Sequence, residues 1–304
     1  MQPLRLLFPN ETDGLGDGVG VDIIAVHGLN PRSKPDVDHA WDTWRTPAGP
    51  GGRLWLRDDL PHHVPNSRVF LYEYNASAVY GKDRDTFVGK ANELLEAIRV
   101  ERDGTESRPI LFLCHSMGGL LVKQALINAH NNPKHTVTRT ATSGLAFFAT
   151  PHNGGDGVLV SLGGLAAKVA IAAGFQKGDD VLETLKSGSM FSDIMQEHWR
   201  HQLLHYDIIS FWGGKDSVVP MESARLGLPG DRENVVKLDA DHSGVCKFGS
   251  SRIDQDNYKL VWMNVKDIYK KALQKCESAG LSYTVREDSL EARMARLRGY
   301  HMDV

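Results

Sequence analysis

Cysteines are scarce in this 304-residue sequence, and no long apolar run occurs. The three cysteines, Cys114, Cys246 and Cys276, fit neither a disulfide framework nor a zinc site. A membrane-spanning helix needs roughly 18 to 20 apolar residues, and the longest stretch here, 165–175, is interrupted by Lys168. Residues 1–8 are too few for the apolar core of a secretory signal. We therefore expect a cytoplasmic protein without disulfides.

The sequence also lacks an excess of charge of one sign, with 35 basic and 38 acidic residues and a formal net charge of -3. This balance gives no broad electrostatic reason to bind nucleic acid. The glycine-rich segment 14–20 precedes a predicted strand instead of following one, so it fails the dinucleotide fingerprint. Three histidines at helical spacing, His198, His201 and His205, have no carboxylate partner and indicate a solvated helix face. We expect neither a metal nor an organic cofactor.

Short β-branched and aromatic runs alternate with longer amphipathic runs, which predicts an α/β fold with a mostly parallel sheet and helices on both faces. We predict strands at 21–26, 68–74, 109–114, 143–149, 206–212 and 234–238. We predict helices at 86–100, 117–130, 189–204 and 256–275.

The predicted elements indicate one core domain at 21–275, between an N-terminal extension at 1–20 and a C-terminal tail at 276–304. Residues 154–204 separate two strands by far more than an ordinary crossover of about a dozen residues. We expect them to form an inserted helical lid whose apolar part lines a substrate pocket. The tail contains a short amphipathic pattern, which favours a helix docked on the body or frayed over a partner-binding helix.

The most informative motif is C-H-S-M-G-G at 114–119, between an apolar run and a helical stretch. This is the layout of a nucleophile elbow, in which a serine stands on a tight strand-to-helix turn within reach of a histidine. The G-x-S-x-G pattern has glycine where Cys114 stands, but cysteine is also small. The motif predicts Ser116 as a catalytic nucleophile, the alternative being an ordinary turn that needs its glycines.

An elbow serine needs a histidine as base and an acid that orients it, in the chain order Ser, Asp, His. Asp216 follows the strand predicted at 206–212, and His242 follows the strand predicted at 234–238. Parallel strands bring these loops to the sheet edge where Ser116 is expected. Other carboxylates compete for the role of the acid, namely Glu222, Asp239 and Asp241.

Acyl transfer also requires amide groups that stabilise an oxyanion. One is expected from Met117, the residue after the nucleophile, and one from the loop after the first strong strand. That loop reads H-G-L-N at 27–30, and we predict the Leu29 amide as the second donor. The alternative for this loop is a simple glycine-containing turn.

Four segments carry a family resemblance: V-H-G-L-N at 26–30, F-L-C-H-S-M-G-G-L-L-V-K at 112–123, F-F-A-T-P-H-N-G-G at 147–155 and D-H-S-G at 241–244. Together they resemble lipase-like serine esterases related to GPI-inositol deacylases. They are similar to lipase-like domains found alone in fungi or at the N-terminus of fungal NACHT-type immune receptors. The resemblance covers 21–269 and implies an α/β-hydrolase fold with a triad at Ser116, Asp216 and His242.

These observations predict a serine esterase or lipase that acts through an acyl-enzyme on a small-molecule or lipid ester. Peripheral contact with a membrane stays open, as does acyl transfer in place of hydrolysis. The alternative from another class is a signalling or interaction domain that keeps the fold without turnover.

Overall fold

A computed structural model describes residues 3–9, 20–31, 36–152, 162–187, 191, 193–194 and 201–299, with the backbone alone at 36–37 and 279–299. The strands, in chain order, are β1 Leu4–Phe8, β2 Val21–Val26, β3 Arg45–Thr46, β4 Arg53–Leu54, β5 Ser67–Tyr72, β6 Ile110–His115, β7 Thr142–Phe148, β8 Asp207–Gly213 and β9 Glu233–Leu238. Each of the six predicted strands is present, with ends within two residues of the prediction.

In the described part of the chain, seven strands form one sheet in the order β1-β5-β2-β6-β7-β8-β9, and β3 and β4 form a separate pair. β1 is antiparallel to β5, and the other neighbouring strands of the large sheet are parallel. This arrangement confirms the predicted α/β-hydrolase fold. The parallel strands all end at one edge, where the loops after β2, β6, β8 and β9 meet.

The helices are α1 Asp36–Asp42, α2 Trp55–Asp58, α3 Ala76–Tyr80, α4 Arg84–Glu101, α5 Gly118–Asn131, α6 Thr136–Ala141, α7 Leu162–Ala172 and α8 Asp180–Ser187. A one-turn helix, Met221–Ala224, and the C-terminal helix, Arg252–Gly299, follow. None of these helices combines the length and the apolar character that crossing a membrane requires.

Both faces of the sheet are covered, as predicted, because its strands are apolar on both sides. In β2, Ile24 and Val26 pack in the core beneath α4 and α5, whereas Ile23 and Ala25 pack in the core beneath the C-terminal helix. α7 and α8 lie over the first core. Within the segment 154–204, the described residues include α7 and α8 with a turn between them, and the helix predicted at 189–204 lies largely outside the described residues.

Two boundaries differ from those expected from the sequence. Residues 1–20 were assigned to an extension, but Leu4–Phe8 pairs with β5 and forms the edge of the sheet. Its alternation is weak, since Arg5 and Leu6 both face solvent. The tail was expected to begin at residue 276, but the C-terminal helix runs through that position to Gly299 without a break. No glycine or proline stands there to end it.

Asp22 anchors the edge of the sheet opposite to the loops after β2, β6, β8 and β9. Its carboxylate is fully buried and accepts hydrogen bonds from Arg68 at 2.8 and 2.7 Å, from Arg102 at 2.8 Å and from Arg108 at 2.8 Å. Burial by itself would raise the pKa of Asp22, but the three guanidinium groups hold it below 3.8. The carboxylate is thus the common counterion of three buried or half-buried cations.

We expect Asp22→Asn to lower the free energy of unfolding by about 3–5 kcal/mol, because it removes the charge that compensates three guanidinium groups. Urea denaturation at pH 7 measures this. Since the pKa of Asp22 in the folded chain lies below 3.8, the stabilisation is complete above that pH and is lost as the pH falls through the folded pKa.

Asp103→Asn is the matched control, since Asp103 is exposed just after α4 at the same end of the sheet. It should change the free energy of unfolding by no more than about 0.5 kcal/mol. Equal effects of the two substitutions would contradict the role given to Asp22.

Candidate active site

The turn between β6 and α5 holds Ser116 in a backbone conformation that is rare for residues other than glycine, with φ of 51°. Two glycines allow the helix to start close behind it. A Cβ on Gly118 would lie 2.2 Å from the carbonyl oxygen of His27, and one on Gly119 would lie 2.4 Å from Thr150 Oγ1. The glycines of the motif are therefore required by close packing of α5 against its neighbouring segments.

Three predicted residues are joined by hydrogen bonds at this edge of the sheet. Ser116 Oγ lies 2.9 Å from His242 Nε2, and His242 Nδ1 lies 2.8 Å from Asp216 Oδ2. A carboxylate only accepts, so the proton at Nδ1 is donated to Asp216. Nε2 is then the acceptor for the Ser116 hydroxyl, the arrangement that proton transfer from serine requires.

Asp216 is held by more than the histidine. Its Oδ1 accepts the amides of Val218 and Val219 at 2.8 and 2.9 Å. Burial alone would raise the pKa of Asp216, but the hydrogen bond from His242, together with these amides, holds it below 3.8. The carboxylate is ionised at neutral pH and its orientation is fixed on both oxygens.

The competing carboxylates have other surroundings. Asp239 pairs with Lys215 at 2.8 Å, and Asp241 Oδ1 accepts the amides of Ser243 and Gly244 at 3.1 and 2.8 Å. Glu222 lies in the first turn of Met221–Ala224 and makes no hydrogen bond to His242 in the described part of the chain. Asp216 is the carboxylate bound to the histidine.

The loop after β2 lies against the turn at Ser116. A Cβ on Gly28 would be 2.8 Å from Ser116 Cβ and 3.3 Å from the Met117 nitrogen. Among the described residues, the amides of Leu29 and Met117 have no hydrogen-bond acceptor in the protein. Both amides are therefore unoccupied donors next to the serine.

His27 orients the peptide that carries the Leu29 amide. Burial lowers the pKa of His27 to about 4, so the ring is neutral at pH 7. Its Nδ1 donates to the carbonyl oxygen of Gly28 at 2.9 Å. In a trans peptide the C=O and N–H point in opposite directions, so the Leu29 N–H points away from the histidine ring.

In the sequence, His115 is notable only as a member of the C-H-S-M-G-G motif. In the structure it binds the loop that carries His242. Its Nε2 donates to the backbone carbonyl of His242 at 2.9 Å. Burial, followed by the nearby His242, lowers the pKa of His115 to about 3, so it stays neutral. The only sequence signal for this role is its position directly before Ser116, at the end of β6.

A cleft of about 320 Å³ opens at Ser116. Its lining includes His39 and Lys215, and its apolar part consists of Leu29, Pro31, Val169, Ala172, Ala173 and Val218. α7 thus supplies part of the cleft wall, from within the predicted lid. A larger groove, about 410 Å³, lies between β1 and α4 and contains none of the residues joined to Ser116.

The remaining motifs add no ligand site in the described chain. Of the three spaced histidines, His198 lies outside the described residues, and no group of three His, Cys, Asp or Glu side chains elsewhere in the described ranges could hold a metal ion. His152, from the T-P-H-N-G-G segment, is buried against Phe147 with ring centroids 4.6 Å apart. Residues 153–155 of that segment lie outside the described part.

No family model matches the chain. Protein SERAC1 of Bos taurus is 26% identical over 279 residues, which cover 84% of this chain and 40% of that protein. Protein SERAC1 of Homo sapiens is 28% identical over 253 residues, covering 75% of this chain and 36% of that protein. The chain therefore spans at most about 40% of the length of the curated relatives it matches.

Solved structures with a similar chain path include the Bacillus licheniformis lipase BlEst2 in its mature form. It is 16% identical, with a TM-score of 0.49 and coverage of 86% of this chain and 97% of that chain. A monoacylglycerol lipase of Paleococcus ferrophilus is 12% identical, with a TM-score of 0.46 and coverage of 82% and 96%.

We expect Gly118→Ala to lower the free energy of unfolding by roughly 1–3 kcal/mol, the range for overpacking, because its Cβ would meet the backbone of His27. Gly89→Ala is the matched control: Gly89 lies inside α4, and a Cβ there meets nothing within 4 Å. This control should gain about 0.5–1 kcal/mol from helix propensity. Urea denaturation of both variants measures the contrast, and a stable Gly118→Ala protein would contradict the packing described.

Proposed function

We propose that this protein is a serine hydrolase that cleaves carboxylic esters through an acyl-enzyme. The observation that supports this best is the hydrogen-bonded chain from Ser116 through His242 to Asp216, at the strand-end edge of an α/β-hydrolase sheet. Folding alone does not require these three side chains to meet at the ends of three different strands.

In the proposed first half-reaction, Ser116 Oγ attacks the ester carbonyl carbon while its proton passes to His242 Nε2. The carbonyl oxygen becomes an oxyanion that accepts the amides of Leu29 and Met117. The carbon–oxygen bond to the alcohol then breaks, and His242 gives the proton to the departing oxygen. Ionised Asp216 stabilises the imidazolium throughout.

In the second half-reaction, water attacks the acyl carbon and gives its proton to His242 Nε2. The bond to Ser116 breaks, the serine oxygen regains the proton, and a carboxylic acid leaves. An alcohol in place of water would give acyl transfer by the same steps.

The proposed substrate carries an acyl or other hydrophobic group, because Val169, Ala172 and Ala173 make one wall of the cleft apolar. We further propose kinship with GPI-inositol-deacylase-like lipases and the lipase-like domains of fungal NACHT-type proteins, on the four motifs. A lipid ester as substrate, peripheral membrane contact and a cytoplasmic location belong to the same proposal. The lid function of 154–204 also stays a prediction.

The decisive experiment is labelling with a fluorophosphonate probe, combined with hydrolysis of short acyl esters. Wild type should react, and Ser116→Ala should lose labelling and turnover while keeping the wild-type fold by circular dichroism. Loss of the nucleophile can lower turnover on the order of a million-fold. More than about a tenth of wild-type activity in Ser116→Ala would contradict this assignment.

Replacing Asp216 tests the other end of the hydrogen-bonded series that begins at Ser116. Asp216→Asn should leave turnover detectable but lower by up to about ten-thousand-fold, because the imidazole loses the partner that fixes its tautomer. Asp239→Asn is the matched control, since Asp239 pairs with Lys215 and does not contact His242. A folded wild type that neither labels nor hydrolyses esters would favour the alternative, an interaction domain without turnover.

Acyl specificity is tested at α7. Val169 is 4% exposed and lines the cleft, whereas Ile171 on the same helix is 57% exposed and faces away from it. Val169→Ala should lower the ratio of octanoate to acetate hydrolysis several-fold, since each buried methylene contributes roughly 0.8 kcal/mol. Ile171→Ala should leave the ratio unchanged, and the same ratio in all three proteins would mean that α7 does not bind the acyl chain.

A further inference from the structure

Two buried tyrosines lie behind the turn at Ser116, and the mechanism above does not use them. Tyr74 follows β5 and Tyr80 is the last residue of α3. The Tyr74 hydroxyl donates to the backbone carbonyl of His27 at 2.8 Å, and the Tyr80 hydroxyl donates to the backbone carbonyl of Met117 at 2.7 Å. The two hydroxyl oxygens are 3.4 Å apart.

Each of the two acceptor carbonyls lies one peptide away from an amide proposed to bind the oxyanion. The His27 carbonyl belongs to the peptide that precedes the one carrying the Leu29 N–H. The Met117 carbonyl belongs to the peptide that follows the one carrying the Met117 N–H. Each tyrosine therefore fixes a peptide plane one step from a donor, and rotation of either plane would redirect that donor.

The surroundings make this linkage rigid. The His27 ring stacks on Tyr74 with centroids 4.3 Å apart, and the His27 carbonyl also lies against Gly118. Burial raises the pKa of Tyr74, and the nearby Tyr80 raises it further; burial likewise raises the pKa of Tyr80. Both hydroxyls therefore keep their protons at neutral pH, and each proton is directed at a backbone carbonyl.

We propose that Tyr74 and Tyr80 are positioning residues that set the distance and direction between the Leu29 and Met117 amides. This inference rests on the proposed hydrolase function: the two tyrosines would determine the geometry of the oxyanion hole. The two loops follow different strands, and among the described residues no backbone hydrogen bond joins one loop to the other. The two phenols, each bound to one loop and with their hydroxyl oxygens 3.4 Å apart, hold the two loops next to each other by packing.

The test uses Tyr74→Phe, Tyr80→Phe and the double variant in the full chain. Tyr72→Phe is the matched control, because Tyr72 stacks on Tyr74 at 5.3 Å and its buried hydroxyl has no partner within the described residues. All four variants keep the aromatic rings and lose one buried phenol oxygen at each substituted position. Only the first three change hydrogen bonds to the two loops.

Two measurements separate positioning from general stability. The first is kcat and KM for a short acyl ester. The second is the inhibition constant of an alkyl trifluoromethyl ketone. In that adduct Ser116 Oγ bonds to the ketone carbon, the serine proton moves to His242 Nε2, and the carbonyl oxygen becomes an oxyanion facing the two amides.

We expect each single variant to lower kcat about 10-fold with KM nearly unchanged, less than the roughly 100-fold or greater loss when an oxyanion donor is removed outright. The double variant should lose about 100-fold or more. The inhibition constant of the ketone should rise in proportion to the loss in kcat/KM, and Tyr72→Phe should match wild type in both measurements.

Other results overturn the inference. One is a fall in thermal stability of the tyrosine variants with kcat and ketone affinity unchanged, which is the signature of a purely structural role. Another is an equal effect of Tyr72→Phe. If the wild-type protein does not react with fluorophosphonate, the proposed function is wrong and the inference fails with it. If the wild type reacts but the tyrosine variants have its kcat and its inhibition constant for the ketone, only the inference is wrong.

Discussion

The close approach of the β6–α5 turn to the loop after β2 is the constraint on which the site depends. The backbone of Gly118 touches the His27 carbonyl, and Gly28 touches Ser116. With side chains at these glycines the two segments could not meet, and the serine would lose its neighbouring amides. Ser116 has a left-handed conformation at this contact, with its hydroxyl facing His242. Strain at one residue is thus balanced by packing spread over two strands.

Charge is arranged at opposite edges of the sheet in two different ways. At one edge Asp22 has three guanidinium partners, so its charge is fully compensated and inert. At the other edge Asp216 is bound by one neutral side chain, the imidazole of His242, and by two backbone amides. Both carboxyl pKa values are depressed, yet only the second carboxylate binds a side chain that in turn contacts a serine hydroxyl. The two buried carboxylates therefore differ in the groups that bind them more than in their burial.

The strands of the parallel sheet were predictable because continuous apolar runs between turns have few other solutions. The positions of Ser116, Asp216 and His242 after three such strands were predictable for the same reason. β1 was missed because only two of its five side chains are buried and its apolar residues do not alternate with polar ones. His115, Tyr74 and Tyr80 were missed because they act through backbone carbonyls, and an acceptor carbonyl leaves no trace in the sequence. Long-range pairing of this kind emerges only when the fold is assembled.

The burial of Cys114, at the start of the elbow, has a practical consequence for chemical labelling of the protein. Cys114 is completely buried in β6, and burial raises the pKa of its thiol far above the usual range. Cys246 is buried as well, and burial raises its pKa to about 12. Cys276 is the partly exposed member of the three, on the C-terminal helix. A thiol-directed fluorophore added to the native chain will therefore report from that helix, far from the serine, and its attachment leaves the elbow untouched.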